Sequence, residues 1–212
     1  MGLLLDSADI EEVKRAVELG YVSGVTTNPT IMAKVKGEPK DIIAGICALS
    51  PGPVFYQVTG KTVDEREREG REFSAICPDE VVLKIPATTE NMSLVARLSK
   101  DIPCAATAVY SGHQTLVACE AGAKYVIPYV NRATRLLGDG VTLVTEMAQV
   151  IALLEAPVRI VAASIKSAAE ATQALLAGAD DLTLPFDVLL SLGNHQLSDE
   201  AIAEFNRASV RP

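Results

Sequence analysis

The chain has 212 residues, a formal net charge of −8, 49% hydrophobic residues, 4% aromatics and no Trp. That length suits one large domain or two small ones, with enough apolar content to bury a substantial core. No basic run exists, which argues against nucleic-acid binding by phosphate neutralisation, and no stretch approaches a membrane span.

From the N-terminus, Leu3–Asp6 reads as a short buried strand. Its apolar run lacks a basic flank and is too short for a signal peptide, and Gly2 precedes a strand rather than an exposed lipidated tail. Ser7 to Leu19 has a helical pattern capped by Ser7 or Asp9 and closed by Gly20. The alternation continues to the end. Further strands are predicted at Gly24–Asn28, Val54–Thr59, Val81–Pro86, Cys104–Val109, Tyr125–Val130, Arg159–Ser164 and Asp181–Pro185. Helical patterns fall at Pro39–Leu49, Thr62–Ile76, Thr89–Leu98, Gly112–Ala121, Thr142–Leu154, Ser167–Leu176 and Asp187–Leu192, with a last short helix at Ser198–Asn206. No linker or low-complexity segment interrupts them, so residues 1–212 are expected to form one domain. Eight βα units predict an α/β fold of the (β/α)8 TIM-barrel type with a short C-terminal helix. A doubly wound dinucleotide fold is disfavoured, because no Gly-x-Gly-x-x-Gly follows any strand.

The cysteines, Cys47, Cys77, Cys104 and Cys119, form no Cys-x-x-Cys pair. Reduced thiols in a cytoplasmic protein are the expected state. His113 and His195 have no carboxylate cluster around them in sequence, so neither a metal nor another cofactor is expected. The run Asp64-Glu65-Arg66-Glu67-Arg68-Glu69 reads as a solvated helix face, and His113 as decoration at a helix start.

Lys84 stands out. It sits in Glu80-Val81-Val82-Leu83-Lys84-Ile85-Pro86, an ammonium inside an apolar strand. Either it snorkels to solvent, or it is buried, where desolvation lowers its pKa and makes the amine a nucleophile for carbonyls. Strand alternation favours the second. With Lys84 turned into the barrel, the inward parity predicts Asp6, Thr26, Asn28, Gln57, Thr59, Thr107, Tyr129, Ser164 and Thr183 near the strands' C-terminal ends. The opposite parity is apolar: Val25, Val54, Val58, Ala106, Ala108, Val126, Val130, Val161, Leu182 and Leu184. Barrel active sites form at that C-terminal end. A lysine among neutral hydrogen-bonding groups suits carbinolamine and Schiff-base chemistry, which needs proton transfer through a held water. Tyr129, Gln57 and Thr107 are candidates to hold it, and Asp6, the only carboxylate of the set, to move a proton on a substrate hydroxyl. Asp6 also fits a helix cap, and Asn28 either a substrate hydroxyl or a turn before Pro29. Arg132, Ser164 and Lys166 follow strands six and seven, where barrels often hold a phosphate; a surface ion pair is the other fate of Arg132.

Leu5-Asp6, Gly24-Val25-Thr26-Thr27-Asn28-Pro29-Thr30, Val82-Leu83-Lys84-Ile85-Pro86, Ala106-Thr107-Ala108-Val109-Tyr110, Pro128-Tyr129-Val130-Asn131-Arg132 and Ala162-Ala163-Ser164-Ile165-Lys166 together resemble the transaldolase-like family, and within it the fructose-6-phosphate aldolase branch. The resemblance covers essentially the whole chain. It implies a (β/α)8 barrel and a metal-free class I aldolase, with Lys84 as the Schiff-base lysine. Asp6, Asn28 and Ser164 would contact substrate, and Arg132 with Ser164 a phosphate. Transaldolases typically carry Glu and Phe where Gln57 and Tyr129 stand, so this pair is aldolase-like. Two positions depart from the aldolase pattern: Ile127 replaces a small residue and Ala105 a larger one, which reshapes the donor pocket and predicts preference for hydroxyacetone or glycolaldehyde over dihydroxyacetone. The expected reaction joins such a donor to an aldehyde such as glyceraldehyde 3-phosphate. The alternatives are a transaldolase acting on phosphorylated or sulfonated sugars, and a noncatalytic carbohydrate-binding barrel, against which the complete lysine-centred set speaks. Family analogy also implies a homo-oligomer, a decamer of two pentameric rings.

Overall fold

The computed structural model describes residues 2–209. Eight parallel strands close into a barrel in sequence order: β1 (Gly2–Asp6), β2 (Val22–Thr26), β3 (Val54–Gln57), β4 (Val81–Pro86), β5 (Cys104–Val109), β6 (Tyr125–Pro128), β7 (Arg159–Ala162) and β8 (Asp181–Leu184), with β8 pairing back onto β1. Around them lie α1 (Ile10–Glu18), α2 (Pro29–Met32), α3 (Pro39–Cys47), α4 (Val63–Ser74), α5 (Thr89–Leu98), α6 (Gly112–Glu120), α7 (Val130–Leu137), α8 (Gly140–Leu153), α9 (Ala168–Leu176), α10 (Phe186–Ser191) and α11 (Gln196–Ser209). This is the (β/α)8 architecture. No single helix among the described residues is long and apolar enough to cross a membrane.

Two apolar layers follow from strand alternation. Leu4, Phe55, Val82, Ala105, Tyr125, Ile127, Val161 and Ala163 fill the barrel interior. Leu5, Val25, Val54, Leu83, Ile85, Ala106, Val126, Ile160 and Leu182 face the helices. Side chains thus plug the barrel, and the polar residues nearer the strand C-termini sit above that plug. Gly24, which opens the Gly-Val-Thr-Thr-Asn-Pro segment, is required by close approach: a Cβ there would lie 2.6 Å from the Pro53 carbonyl oxygen. At the opposite end, Arg159 donates to both carboxylate oxygens of Asp181, at 2.9 and 2.7 Å.

The helices differ from the sequence reading in places. Asp9, not Ser7, caps α1, accepting from the Glu11 and Glu12 amides. The predicted strand Tyr125–Val130 ends at Pro128; Tyr129 makes a single bridge to Ala163, and α7 begins at Val130. The apolar alternation through Val130 continues because its side chain packs under the helix. α8 starts at Gly140, where Asp139 accepts from the Val141 and Thr142 amides, and α11 is longer than Ser198–Asn206.

The charged run before Glu69 is not simply a solvated face. Glu65 closes a capping box with Thr62, and Glu67 pairs with Arg71 and Arg97. Glu69 accepts from the Tyr56 hydroxyl at 2.8 Å, from the Thr59 amide and hydroxyl, and from the Gly60 amide at 2.7 Å. This turns Thr59 outward onto α4, so it does not join the inward set. Tyr56 stacks on Phe73 with ring centroids 3.7 Å apart. Beside the Glu69 carboxylate, burial first, then the hydrogen bond and charge of Glu69, hold the Tyr56 phenol protonated well above its usual range. Replacing Glu69 with Ala strands a buried hydroxyl and two amides. We expect Glu69→Ala to cost about 2–4 kcal/mol, read as a lower urea midpoint with an unchanged m-value.

Candidate active site

A cavity of about 840 Å³ opens above the interior plug at the C-terminal ends of the strands. Asp6, Asn28, Gln57, Lys84, Tyr129, Arg132, Ser164 and Lys166 line it. Thr26, Thr107, Ala105 and Ile127 do not reach its wall; they are fully buried beneath or between those residues.

Lys84 is 3% exposed. β4 carries it inward because Leu83 and Ile85, of opposite parity, pack under the helices. Its Nζ donates to the Thr27 carbonyl oxygen at 2.8 Å. That carbonyl is turned inward just past β2, where the Thr27 hydroxyl is fixed on the Phe55 carbonyl. Burial pushes the Lys84 pKa down, and the Asp6 charge opposes this as the lesser influence. A neutral amine is therefore accessible nearer neutrality than for an exposed lysine.

Asp6 ends β1. Its Oδ1 accepts from Thr26 Oγ1 at 2.8 Å, and Thr26 also bonds the Thr183 hydroxyl, so a chain of hydroxyls positions the carboxylate. Asn28 caps α2, its Oδ1 accepting from the Ile31 amide, so the turn before Pro29 and the cavity wall are one feature. Gln57 pairs in register with Lys84, as does Ala105 on the other side. Its Oε1 is buried without a hydrogen-bond partner, an unsatisfied acceptor in a residue that lines the cavity.

Thr107 donates to the Tyr129 hydroxyl at 3.2 Å. A register shift between Thr107 and Val109, with Ala108 at φ 55°, ends the regular ladder just past Thr107. Burial raises the Tyr129 pKa, while the Thr107 hydrogen bond works against it, so the phenol stays protonated. The Arg132 guanidinium lies 5.1 Å from the centre of the Tyr129 ring.

On β7 the predicted parity is reversed. Val161 and Ala163 face inward, while Ile160 and Ala162 face the helices. Ser164 still lines the cavity because the chain leaves the strand with Ser164 at φ 62°, the left-handed region that L-residues rarely occupy. Glu170 fastens this corner, accepting from the Lys166 amide at 2.6 Å and from the Asn131 side-chain amide at 3.1 Å.

Sequence reasoning missed several wall residues. Lys34 joins Arg132 and Lys166 as a third cation, and Asp9, Glu12 and Asp187 add carboxylates to that of Asp6. They lie at the N-cap of α1 and within it, after α2 and on α10, outside the strand pattern that located the others. The Thr27 carbonyl was equally hidden, because a backbone role leaves no side-chain signature.

Lys84, Asp6 and the Thr26–Asn28 corner all come from segments that a model of the transaldolase/fructose-6-phosphate aldolase family matches within residues 3–211. The chain belongs to that family. Among curated relatives, the probable transaldolase of Roseiflexus castenholzii is 40% identical over 207 residues, covering 97% of this chain and 95% of the relative. The probable transaldolase of Desulforapulum autotrophicum is 37% identical over 206 residues with the same coverage, and that of Moorella thermoacetica 36% identical over 206 residues. The family is enzymatic, with transaldolase or aldolase activity.

Proposed function

We propose that this protein is a class I aldolase that cleaves a ketose, or forms one, through a Schiff base on Lys84. The observation that carries the proposal is a fully buried amine of lowered pKa, held on a backbone carbonyl at the base of a polar cavity. Neutral Nζ attacks the ketone carbon of the donor. The carbinolamine hydroxyl leaves as water, with a proton delivered through a water held by Tyr129, Thr107 and the open acceptor of Gln57. In cleavage, Asp6 takes the proton from the substrate hydroxyl as the adjacent carbon–carbon bond breaks, which releases the aldehyde and leaves an enamine. Protonation and hydrolysis of the enamine then free the ketone and restore the amine. Asn28 and Ser164 bind substrate hydroxyls, with Thr26 fixing Asp6. Arg132 and Lys166 meet a phosphate on the aldehyde, glyceraldehyde 3-phosphate being the fitting acceptor. No step requires a metal or another cofactor.

A second reading is favoured by the names of the relatives, which are probable transaldolases. In that case the enamine waits for a second aldehyde, and the substrates are phosphorylated or sulfonated sugars. One experiment tests the chemistry shared by both. Dihydroxyacetone, hydroxyacetone, glycolaldehyde and fructose 6-phosphate are each added with borohydride, and the adduct mass on Lys84 is read. Absence of any adduct overturns the Schiff base.

Donor choice is a separate expectation. Ala105 and Ile127 shape the donor end from beneath, since both are fully buried and each lies in register with a neighbour of the site, Lys84 or Thr107. An apolar layer beneath the wall offers no hydrogen bond to a donor hydroxyl, and an unpaired one costs about 1–3 kcal/mol, roughly one to two decades in specificity. We expect kcat/KM to favour hydroxyacetone or glycolaldehyde, and Ile127→Ser to raise relative use of dihydroxyacetone by about tenfold. A dihydroxyacetone preference untouched by Ile127→Ser removes this residue from donor selection.

Self-association also belongs to the proposal. Leu197, Ile202 and Phe205 on α11 are 65%, 55% and 69% exposed, and no residue of α11 is buried. A second copy of the chain, as in a decamer of pentameric rings, is the occupant we propose for this face, and sedimentation equilibrium reads the mass directly.

A further inference from the structure

At the barrel end opposite the cavity, the fold gathers three potential ligands that are scattered in sequence. Cys47 is the last residue of α3, Cys77 follows α4, and Glu80 directly precedes β4. The two Sγ atoms and a carboxylate oxygen of Glu80 all lie within 4.8 Å of one another. Among the described residues this is the one such group of three or more His, Cys, Asp or Glu side chains. The turn from Cys77 to Glu80 is tight: the Glu80 and Val81 amides both donate to the Cys77 carbonyl, and Asp79 adopts φ 70°. This turn doubles the chain back so that Glu80 faces the cysteines, while the Glu80 carbonyl accepts from the Val54 amide and ties the turn to β3.

We propose that Cys47, Cys77 and Glu80 bind a thiophilic divalent cation of the zinc type. Zinc–sulfur bonds of about 2.3 Å and zinc–carboxylate bonds of about 2.0–2.2 Å set donor–donor spacings that fall within this 4.8 Å limit. The donors are graded in exposure: Cys47 is buried, Cys77 is partly exposed and Glu80 is exposed. An ion can therefore enter from the Glu80 side and keep water in its fourth position. The cluster also lacks a positive charge. Among the described residues no Lys or Arg forms an ion pair with Glu80. A dication supplies the missing charge. Binding releases the two thiol protons to solvent and changes no oxidation state, so affinity rises with pH.

A disulfide is the competing use of two neighbouring thiols. It gives Glu80 no role, whereas a cation engages all three groups that the turn brings together. The site stands apart from Lys84, so its effect is on the joint between α3 and the α4–β4 turn, not on the chemistry in the cavity.

The test uses the full chain, stripped with chelator and kept reduced. Cobalt(II) titration should give thiolate-to-cobalt charge-transfer absorption that zinc abolishes, and native mass spectrometry should count one zinc per chain. Cys77→Ser should weaken zinc binding about a hundredfold and Glu80→Gln about tenfold, whereas Cys119→Ser should leave it unchanged. Zinc at a hundredfold excess over its Kd should raise Tm by about 5 °C or more. Cys47→Ser extends the series, and the partly exposed Cys77 and exposed Glu80 carry it if the buried substitution unfolds the chain. Zinc binding below one per chain, or equal binding by Cys77→Ser and Cys119→Ser, overturns the site. So does a Cys47–Cys77 disulfide that forms in air at the same rate with and without zinc.

Discussion

Lys84→Met should abolish aldol cleavage and borohydride trapping together, while the chain folds as before and becomes more stable. The activity loss is expected to be on the order of 10⁵-fold or more, the scale at which enzymes lose a covalent nucleophile. The stability gain follows from proton linkage. In the unfolded chain Lys84 takes up its proton below the ordinary value of 10.5, but burial keeps the folded amine neutral until a lower pH. As pH falls through that interval, the wild-type fold loses stability relative to the unfolded chain, and the Met variant does not. Its advantage should therefore be absent above pH 10.5, grow as pH falls, and level off below the folded pKa. Replacing buried ionisable groups with apolar ones gains roughly 1–4 kcal/mol, and loss of the bond to the Thr27 carbonyl returns about 1 kcal/mol. The net sign is stabilising near neutral pH. Denaturant melts of both proteins across pH, with turnover assays beside them, check it. Undiminished turnover by folded Lys84→Met protein sinks the Schiff-base mechanism.

Tyr129→Phe should separate the two candidate activities. The substitution removes the hydroxyl that accepts from Thr107, and with it one anchor of the proposed water. Release of free ketone requires that water; transfer of the enamine to a second aldehyde does not. Ketose cleavage with donor release should fall about a hundredfold, within the range for losing a general acid–base group. Transfer should fall much less, so the ratio of transfer to cleavage should rise. Two coupled assays on one preparation, aldehyde release and product formation with a second aldehyde, give the ratio. If neither rate changes, Tyr129 does not hold the water, and the preference for an aldolase over a transaldolase loses its main support.

What the sequence made legible was whatever strict period-two alternation reports. Lys84, Gln57, Asp6 and Tyr129 line the cavity while Leu83, Val54, Leu5 and Val126 face the helices, as alternation from an inward Lys84 requires. Alternation failed where the backbone leaves the strand. Counting along β7 turns Ser164 inward, yet Val161 and Ala163 hold the inward positions, and Ser164 lines the cavity from a left-handed φ past the strand's end. Tyr129 lies past the end of β6, and α7 begins where hydrophobicity alone continued the strand. Thr59 was drawn outward by Glu69, a long-range partner on a helix that read as uniformly solvated. Likewise no local spacing could bring Cys47 to Cys77, because their proximity arises from two helices ending at the same barrel face.

The Glu69 clasp has a consequence for how the molecule opens. Both of its carboxylate oxygens hold amides at the exit of β3, and Tyr56 locks the same carboxylate from inside the helix layer. The amides of Thr59 and Gly60 should therefore exchange with solvent deuterium more slowly while α4 stays on the barrel. By contrast α2, which follows the neighbouring strand β2, is four residues long with none buried. Breathing of the mouth should therefore differ between two adjoining strands: the exit of β3 is held by α4, and loosening is expected first at the exit of β2, beside Asn28 and Lys34.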